Sequence, residues 1–515
     1  MQNGIMLQSF EWYLPPDGTL WRTLAREAFH LRELGFTALW LPPAEKGSGG
    51  RNDVGYGVYD LYDLGEFDQK GTVATKYGTA AEYLRAIRAI HRAGAQALPD
   101  VVLNHRMGGD EMEQVPVCCE DFERRNDDSA PVRTAGLMTR LTFPGRGGRY
   151  SDFIWDASCF TGTDWDALRK ERGLYRIQGK RWADDVDREH GNYDYLMGLD
   201  VDVQAPQVRQ ELQRWGLWFV RRTGCDGFRL DAVKHISAGF FREWLDALRR
   251  ETGRELFSVG EYWHHDAGVL TGYLDTVGER MSLFDVPLHF HLREAGCNRF
   301  YDMAHLFDGT LVGCRPHLAV TFVDNHDTQP GQALESWVSG WFKPAAYGLI
   351  LLRAFGYPCV FWGDLMGIPH NEFGPVSALP LLLRLRRLNA FGEERDYFDD
   401  ADVIGFTRSG DAAHPGSGLV FLCTNALAGD KRMQVGSRLA GRHFRCVLGG
   451  GADVQVDGEG WGTFHVDEQQ TCVWVPDVTG SERMARLLSE ARRKAELAAR
   501  RAGFLVESAL RGEKL

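Results

Sequence analysis

The chain has 515 residues, more than a single hydrophobic core ordinarily organises, so we expect two to four domains. Hydrophobic residues make up 44% and charged residues 25%, which is the balance of a soluble globular protein. The 71 acidic residues outnumber the 59 basic ones, and the net charge of -12 argues against nucleic acid as a partner. No stretch approaches 18 uninterrupted apolar residues, so no membrane span is expected.

The N-terminus and the cysteines bear on location. The first five residues lack the basic region and the apolar run of a secretion signal. The ten cysteines are scattered and form no CxxC pair, which argues against a zinc site. Reduced thiols are typical of a cytoplasmic protein, and we expect this one to be cytoplasmic.

Apolar strands and amphipathic helices alternate through the first hundred residues. Strands are predicted at 5–10, 36–41 and 97–103, and helices at 21–34 and 79–93, each helix being ended by a glycine. This alternation indicates parallel strands with helices packed outside them.

After Asn104 and His105 the alternation stops for about a hundred residues that are polar and rich in Gly and Asp. Such a segment is too long for a plain loop, so we expect an inserted domain at 104–205. The alternation resumes with a helix at 207–223 and strands at 227–230, 255–260, 282–286, 318–323 and 358–362. Eight strand–helix units predict an α/β protein with a (β/α)8 TIM barrel, built from residues 1–103 and 206–390.

The last part of the chain has a different pattern. Short alternating strands separated by glycine-rich turns predict an antiparallel β domain at 391–478. Residues 479–515 form a helical tail, in which 481–502 is a basic amphipathic helix with a capping box from Thr479 and Glu482. Its apolar face consists of Met484, Leu487, Leu488, Ala491, Ala495, Ala498 and Ala502. A helix docked on the body and a solvated tail are the two simplest interpretations.

Polar side chains follow four of the predicted barrel strands. They are Asn104 and His105, Arg229 and Asp231, Glu261, and His326 with Asp327. Active sites of such barrels are built on the face where the strands end. Each of these residues alone could be a structural loop group, but their convergence on one face favours a site. Arg229 beside Asp231 favours the ionised carboxylate, and one ionised with one protonated carboxyl is what cleavage of a glycosidic bond needs.

Four segments carry a family resemblance: DVVLNH at 100–105, GFRLDAVKH at 227–235, GEYW at 260–263 and FVDNHD at 322–327. They resemble, in the same order, the four sequence regions of the α-amylase family, glycoside hydrolase family 13. The resemblance covers roughly residues 4 to 475 and is closest to bacterial liquefying α-amylases and their intracellular relatives. The C-terminal helix lies outside it.

The resemblance implies endo-acting hydrolysis of α-1,4-glucosidic bonds in starch, glycogen or maltodextrins, with retention of anomeric configuration, by a chain that we expect to be a monomer. One alternative is a maltooligosaccharide-forming amylase or a transglycosylase of the same family. Another is a non-catalytic glycan-binding protein, against which the presence of all three family carboxylates argues. The pair Lys234-His235 favours an α-amylase.

The resemblance also implies roles for single residues. Asp231 matches the family nucleophile, Glu261 the general acid/base and Asp327 the third carboxylate, which binds sugar hydroxyls. Arg229 matches the residue that holds the nucleophile ionised. Further substrate-binding positions are matched by Tyr56, His105, Lys234, His235, Trp263 and His326. For Trp263, packing in the core is an equally good explanation.

A calcium ion is the one cofactor that we expect. The inserted segment is rich in aspartate, and clustered oxygen ligands suit a hard cation such as Ca²⁺, although a solvated acidic loop would have the same composition. The resemblance implies as ligands Asn104, Asp194, Asp200 and the backbone carbonyl of His235.

Further cations are held near this ion in the family members that the chain resembles most, by additional aspartates. The matching positions here are Thr161, Ala183 and Gln204, and only Asp202 remains, with Asp184 as a substitute. We therefore expect one calcium ion rather than a cluster.

Overall fold

Eight parallel strands, β1 to β8, close into a barrel in which each strand pairs with its neighbours in chain order. The computed structural model describes residues 3–369 and 374–513. The strands are Met6–Gln8, Ala38–Leu41, Gln96–Val101, Gly227–Leu230, Phe257–Gly260, Ser282–Phe284, Ala319–Phe322 and Tyr357–Phe361. The predicted (β/α)8 barrel is confirmed.

Helices between and after these strands pack around the barrel and share its hydrophobic core. They are Leu20–Leu34, Ala80–Ala93, Pro206–Thr223, Ala238–Thr252, Ala267–Thr276, Val286–Cys297, Leu311–Cys314, Lys343–Leu351, Trp362–Met366 and Leu379–Leu388. Several strands are shorter than predicted because buried apolar residues continue past the hydrogen-bonded ladder. After β3, for example, Val102 and Leu103 stay buried although the strand ends at Val101.

The segment after β3 contains regular strands that its sequence pattern does not reveal. His105–Arg106, Glu111–Glu120, Val132–Arg140, Phe160–Asp166, Glu171–Ile177 and Leu199–Val201 form one six-stranded antiparallel sheet. Polar side chains fill part of its interior. Arg176 pairs with Glu120 at 2.6 Å, and both side chains are almost wholly buried. Apolar alternation, the usual sign of a strand, is therefore weak here.

The chain beyond the barrel forms antiparallel strands and a long helix. The strands are Glu394–Tyr397, Val403–Arg408, Leu419–Thr424, Gly429–Gln434, His443–Leu448, Val454–Gln455, Trp461–Val466 and Thr471–Pro476, in sheets of six and two strands. The C-terminal helix, Gly480–Leu510, has 31 residues, nine more than predicted, and begins with the predicted capping box of Thr479 and Glu482. It docks on the barrel, but the apolar face predicted from its sequence is exposed to solvent.

Two further expectations concern the chain as a whole. No helix in the part of the chain that the structure describes is long and apolar enough to cross a membrane. All ten cysteines are free thiols.

The contact between β4 and β5 generates a prediction. A β-carbon on Gly227 would lie 1.6 Å from the carbonyl oxygen of Phe257, so Gly227→Ala must push the two strands apart. We expect a loss of at least about 1–3 kcal/mol of unfolding free energy, seen as a lower melting temperature. Gly272→Ala is the control, because its β-carbon meets nothing within 4 Å in an outer helix. Equal melting temperatures for the two variants would contradict the argument.

Candidate active site

The three carboxylates at the ends of β4, β5 and β7 meet in one pocket. Asp231, Glu261 and Asp327 line a cavity of about 350 Å³. The same cavity is lined by Tyr56, His105, Lys234, His235, Trp263 and His326, so the predicted substrate-binding side chains gather around the three acids. Arg229 lies beneath, fully buried against Asp231.

Arg229 connects more carboxylates than the sequence spacing suggests. Its Nη1 donates to Asp231 Oδ1 at 2.5 Å and to both oxygens of Asp100 at 2.9 and 3.1 Å. Its Nη2 lies 3.2 Å from Glu261 Oε2. Burial alone would lower the pKa of this guanidinium, but the carboxylates, Asp100 first, raise it well above its usual range. Arg229 is therefore a permanent cation shared by three acids.

Asp100 is a component of the site that we did not predict. It is fully buried on β3, and its Oδ2 accepts hydrogen bonds from Tyr56 Oη at 2.8 Å and Trp40 Nε1 at 3.0 Å. Burial raises its pKa to about 6. A charged residue inside an otherwise apolar strand is the sequence signal that could have identified it. Asp100 fixes both Arg229 and the ring of Tyr56.

Glu261 is held in a position and a state that suit an acid. The backbone N–H of Ala232 donates to its Oε2 at 3.0 Å, and Ala232 adopts a left-handed conformation with φ of 50°. That conformation is uncommon for a residue other than glycine. Burial raises the pKa of Glu261 to about 7; Arg229 opposes the rise and Asp231 adds to it. Burial and the neighbouring Glu261 raise the pKa of Asp327 well above its usual range.

An aromatic wall lines the pocket beside these acids. The ring of Tyr56 stacks on His326 with centroids 5.1 Å apart, and Trp12 stacks beside both at 6.0 and 6.1 Å. His326 contacts Gln8 Nε2 through Nδ1 at 2.9 Å, and its Nε2 lies 3.3 Å from Asp327 Oδ2. Burial, and then Arg229, lower the pKa of His326, so the ring is neutral. Trp12 and Gln8 have no sequence signal that singles them out.

His105 lies on the side of the pocket where the inserted segment begins. Its Nε2 contacts the backbone oxygen of Tyr56 at 2.7 Å, and burial lowers its pKa. This contact ties the loop that carries Tyr56 to the end of β3.

The inserted segment closes another side of the pocket. Lys234 Nζ donates to Glu189 Oε2 at 2.6 Å and to the backbone oxygen of Trp263 at 3.0 Å. His235 Nδ1 lies 2.6 Å from the backbone oxygen of Tyr193, and burial lowers its pKa to about 3. Tyr193 lines the pocket and was not predicted.

The position of Trp263 is compatible with both of its explanations, and substrate binding by this residue stays a prediction. Trp263 lines the pocket, and it also packs on the core through His289 and Phe322, with ring centroids 5.9 and 6.4 Å away.

Three of the residues expected to bind calcium, Asn104, Asp194 and Asp200, lie close together between the barrel and the insert. The N–H of Val201 donates to the backbone oxygen of Asn104, which places Asp200 beside Asn104. Asn104 Oδ1 and Asp200 Oδ2 are buried without a hydrogen-bond partner. Burial raises the pKa of Asp194 to about 7, and burial together with Asp194 raises the pKa of Asp200 well above its usual range. Unpaired buried oxygens and crowded carboxylates fit a hard cation.

This set contains few charged ligands. Among the residues that the structure describes, no group of three or more His, Cys, Asp or Glu side chains is arranged to hold a metal. The expected ligands do not form such a group, because only Asp194 and Asp200 are carboxylates. The other two are the side-chain amide of Asn104 and the backbone carbonyl of His235.

The remaining aspartates of the insert have other partners. Asp202 Oδ2 accepts from Lys180 Nζ at 2.6 Å, Asp185 accepts from Ser237 Oγ at 2.7 Å, and Asp187 accepts from Tyr262 Oη at 2.6 Å. Asp184 is exposed. At Asp202 an ammonium group therefore already supplies the positive charge.

The chain is similar to known proteins over most of its length. The model of the α-amylase catalytic domain matches residues 25–374. The chain is 51% identical to an α-amylase of Geobacillus stearothermophilus over 482 residues, covering 93% of this chain and 88% of that one. It is 46% identical to a glucan 1,4-α-maltohexaosidase of Bacillus sp. strain 707, covering 92% of each chain. It is 42% identical to the cytoplasmic α-amylase of Escherichia coli K12, covering 92% of this chain and 99% of that one.

Proposed function

The chain belongs to the α-amylase family, and we propose that it hydrolyses internal α-1,4-glucosidic bonds of starch, glycogen or maltodextrins, with Asp231, Glu261 and Asp327 as its catalytic residues. The observation that supports these assignments most is the meeting of the three carboxylates in one pocket over a shared arginine. The surroundings of the three carboxylates differ, as a double-displacement mechanism requires of its nucleophile and its acid.

In the first step Asp231 attacks the anomeric carbon and forms a covalent glycosyl-enzyme. Its Oδ1 accepts a hydrogen bond from Arg229, which places a fixed positive charge beside the nucleophile. Glu261 donates its proton to the departing glycosidic oxygen, so that the leaving sugar departs as a neutral alcohol. Burial raises the pKa of Glu261 to about 7, which keeps that proton available near neutral pH.

In the second step water breaks the glycosyl-enzyme. Glu261, now ionised, takes a proton from the attacking water, and Asp231 leaves as a carboxylate. Two displacements at the same carbon retain the anomeric configuration. Asp327, His105 and His326 bind sugar hydroxyls, and the face of Tyr56 supports the sugar ring by stacking.

Lys234, His235 and Trp263 lie on the side of the pocket that the leaving sugar occupies in this proposal. Lys234 is fixed by Glu189 of the insert and by the backbone of Trp263. The insert therefore takes part in binding the part of the polymer that is released.

Calcium has a structural role in this proposal. Asn104, Asp194, Asp200 and the carbonyl of His235 would hold one ion, which would neutralise the crowded carboxylates between barrel and insert. Asn104 precedes His105, and His235 follows Asp231 by four residues, so these ligands brace the pocket without taking part in the reaction. The insert at 104–205 is then the calcium-binding domain. The other two parts outside the barrel are the β domain at 391–478 and the helical tail at 479–515, whose last two residues lie outside the described part.

We assign the protein to the cytoplasm. The free thiols and the likeness to a relative named cytoplasmic α-amylase support this assignment. The likeness to a maltohexaosidase keeps a maltooligosaccharide-forming enzyme as the second candidate.

Products released from soluble starch over time test the function. We expect long oligosaccharides early and short ones late, because internal bonds are cut, and new reducing ends that appear first as the α anomer by NMR. A single oligosaccharide dominating from the start would favour the second candidate, and a β anomer would refute the two-step mechanism. Asp231→Asn is the matched control, which should lose activity by several orders of magnitude and still bind oligosaccharides.

The pKa of Glu261 predicts the alkaline limit of activity. The acid must carry a proton before the first step, and its pKa in the folded protein is about 7. We expect kcat/KM on a maltooligosaccharide to fall about tenfold per pH unit above that value, since only the protonated fraction reacts. An activity that stays constant from pH 7 to pH 9 would show that Glu261 is not the acid.

Calcium removal tests the metal site. An ion that binds only the native state adds about 2.7 kcal/mol of stability at a hundredfold excess over Kd, so chelation should lower the melting temperature. Asp200→Asn should weaken this effect, whereas Asp184→Asn, at an exposed position, should not. Calorimetric titration should find one tight site per chain. No binding would refute the site, and two tight sites would refute the single ion.

A further inference from the structure

The C-terminal helix is attached to the barrel by its polar face. Glu490 forms an ion pair with Arg387, and Arg493 donates to the backbone oxygen of Glu33 at 3.2 Å. Two large apolar side chains also anchor it: Phe504 is buried and packs against Phe29 with ring centroids 5.9 Å apart, and Leu497 is partly buried against the core. The attachment therefore uses the side of the helix opposite to the apolar face that its sequence displays.

The outward side of this helix is a continuous apolar stripe. Met484, Leu487 and Leu488 are 57, 59 and 63% exposed at one end, and Val506 and Leu510 are 61 and 84% exposed at the other. Along its centre, apolar residues recur at alternating intervals of four and three, as in the a and d positions of a coiled coil. They are Met484, Leu488, Ala491, Ala495, Ala498, Ala502, Leu505 and Ala509, all exposed.

We propose that two copies of this chain associate through this stripe, with the two C-terminal helices antiparallel. The positions of the stripe residues are symmetric about the point between residues 496 and 497. A second helix that runs in the opposite direction therefore presents matching positions to the first. Leu488 then meets Leu505 of the second copy at both ends, and the alanines face one another in the middle. A two-fold axis gives this self-matching contact, and such symmetric dimers are the commonest oligomers.

The size of the stripe fits a weak dimer. A helix of about 26 residues is roughly 39 Å long, and a diameter of about 10 Å gives a face of roughly 400 Å². A standard interface buries roughly 800 Å² per partner, so the helices supply about half of one. We therefore expect a dissociation constant in the micromolar range and not a permanent dimer. This replaces the monomer expected from the sequence.

The composition of the stripe favours a second helix over a lipid surface. Its centre consists of alanines, which let two helices approach closely but offer little apolar volume to insert between lipids. No aromatic residue lies on it.

The charges beside the stripe give the proposal a characteristic salt dependence. Arg483, Arg492 and Arg501 form no ion pair within the described part of the chain, and Lys494 reaches only Glu33, at 3.5 Å. In this register Lys494 faces Ala499 of the second copy, and Arg501 of that copy lies two residues further along the same helix. Exposed like charges repel weakly and are screened by salt, whereas apolar burial is not. Salt should strengthen the dimer, while it would weaken binding to an acidic helix or an anionic membrane.

Sedimentation velocity of the full chain from 1 to 200 µM tests the proposal. We expect a concentration-dependent shift from monomer to dimer that is stronger in 500 mM than in 50 mM NaCl. Leu488→Glu and Leu505→Glu should each weaken association at least tenfold. The two-fold symmetry repeats each substitution, so that two charges are placed in the contact. Leu168→Glu is the control, since Leu168 is 48% exposed in the insert and should leave the dimer intact. Hydrolysis of a maltooligosaccharide should be normal in all three variants, which confirms that they fold.

Three results would overturn the proposal. One is a wild-type chain that stays monomeric at every concentration. Another is a dimer that survives Leu488→Glu or weakens with salt, which would place the contact elsewhere. The third is a monomeric chain that binds phosphatidylglycerol vesicles at low salt through Leu488, which would make the stripe a lipid contact.

Discussion

The site depends on a shortage of positive charge around one buried guanidinium. Arg229 contacts Asp100, Asp231 and Glu261, and Asp327 lies close enough to Glu261 to have its pKa raised by it. One permanent cation does not balance four buried carboxyl groups. Asp231 Oδ1 lies against Arg229 at 2.5 Å, and burial raises the pKa of Asp100 to about 6 and that of Glu261 to about 7. In the proposed mechanism the nucleophile and the acid are both carboxyl groups, and they differ in burial and in their distance from Arg229.

The arrangement of charges around Arg229 requires that β4 and β5 stay closely paired. Asp231 follows β4 and Glu261 follows β5, and the N–H of Ala232 reaches across to Glu261. Gly227 permits the close approach at the start of β4, because any β-carbon would strike the backbone of β5. The left-handed turn at Ala232 then directs its N–H towards the acid. Backbone packing at one end of the strands therefore sets side-chain chemistry at the other.

Much of this could be predicted from the sequence, and the remainder has identifiable reasons. Arg229 and Asp231 are two apart on a strand, and their pairing follows from the period of a strand. The eight strands follow from apolar runs between glycines. Asp100 pairs with Arg229 only because β3 lies beside β4, and this neighbourhood is a feature of the tertiary structure that the local sequence does not show. Trp12 and Tyr193 come from loops whose local sequence carries no period.

The sheet of the insert and the outward face of the C-terminal helix escape prediction for a different reason. Both place polar side chains where apolar ones are the usual choice. In the insert a buried ion pair of Arg176 and Glu120 replaces apolar contacts. On the helix, ion pairs with the barrel occupy the docked side and leave the apolar residues outside. Sequence periodicity identifies an apolar face, but it does not say which surface will cover it.

Fixed cations accompany several of the buried acids in this chain. Lys343 lies 2.8 Å from Asp324, at the root of the loop that carries Asp327, and also pairs with Asp364. In the insert, Lys180 forms an ion pair with Asp202. Asp194 and Asp200 have no such partner within 4 Å among the described residues. A buried carboxylate must be paired, protonated or bound to a metal. Because both residues lie between the insert and the strand ends that form the pocket, a metal is the choice that would also join those two parts.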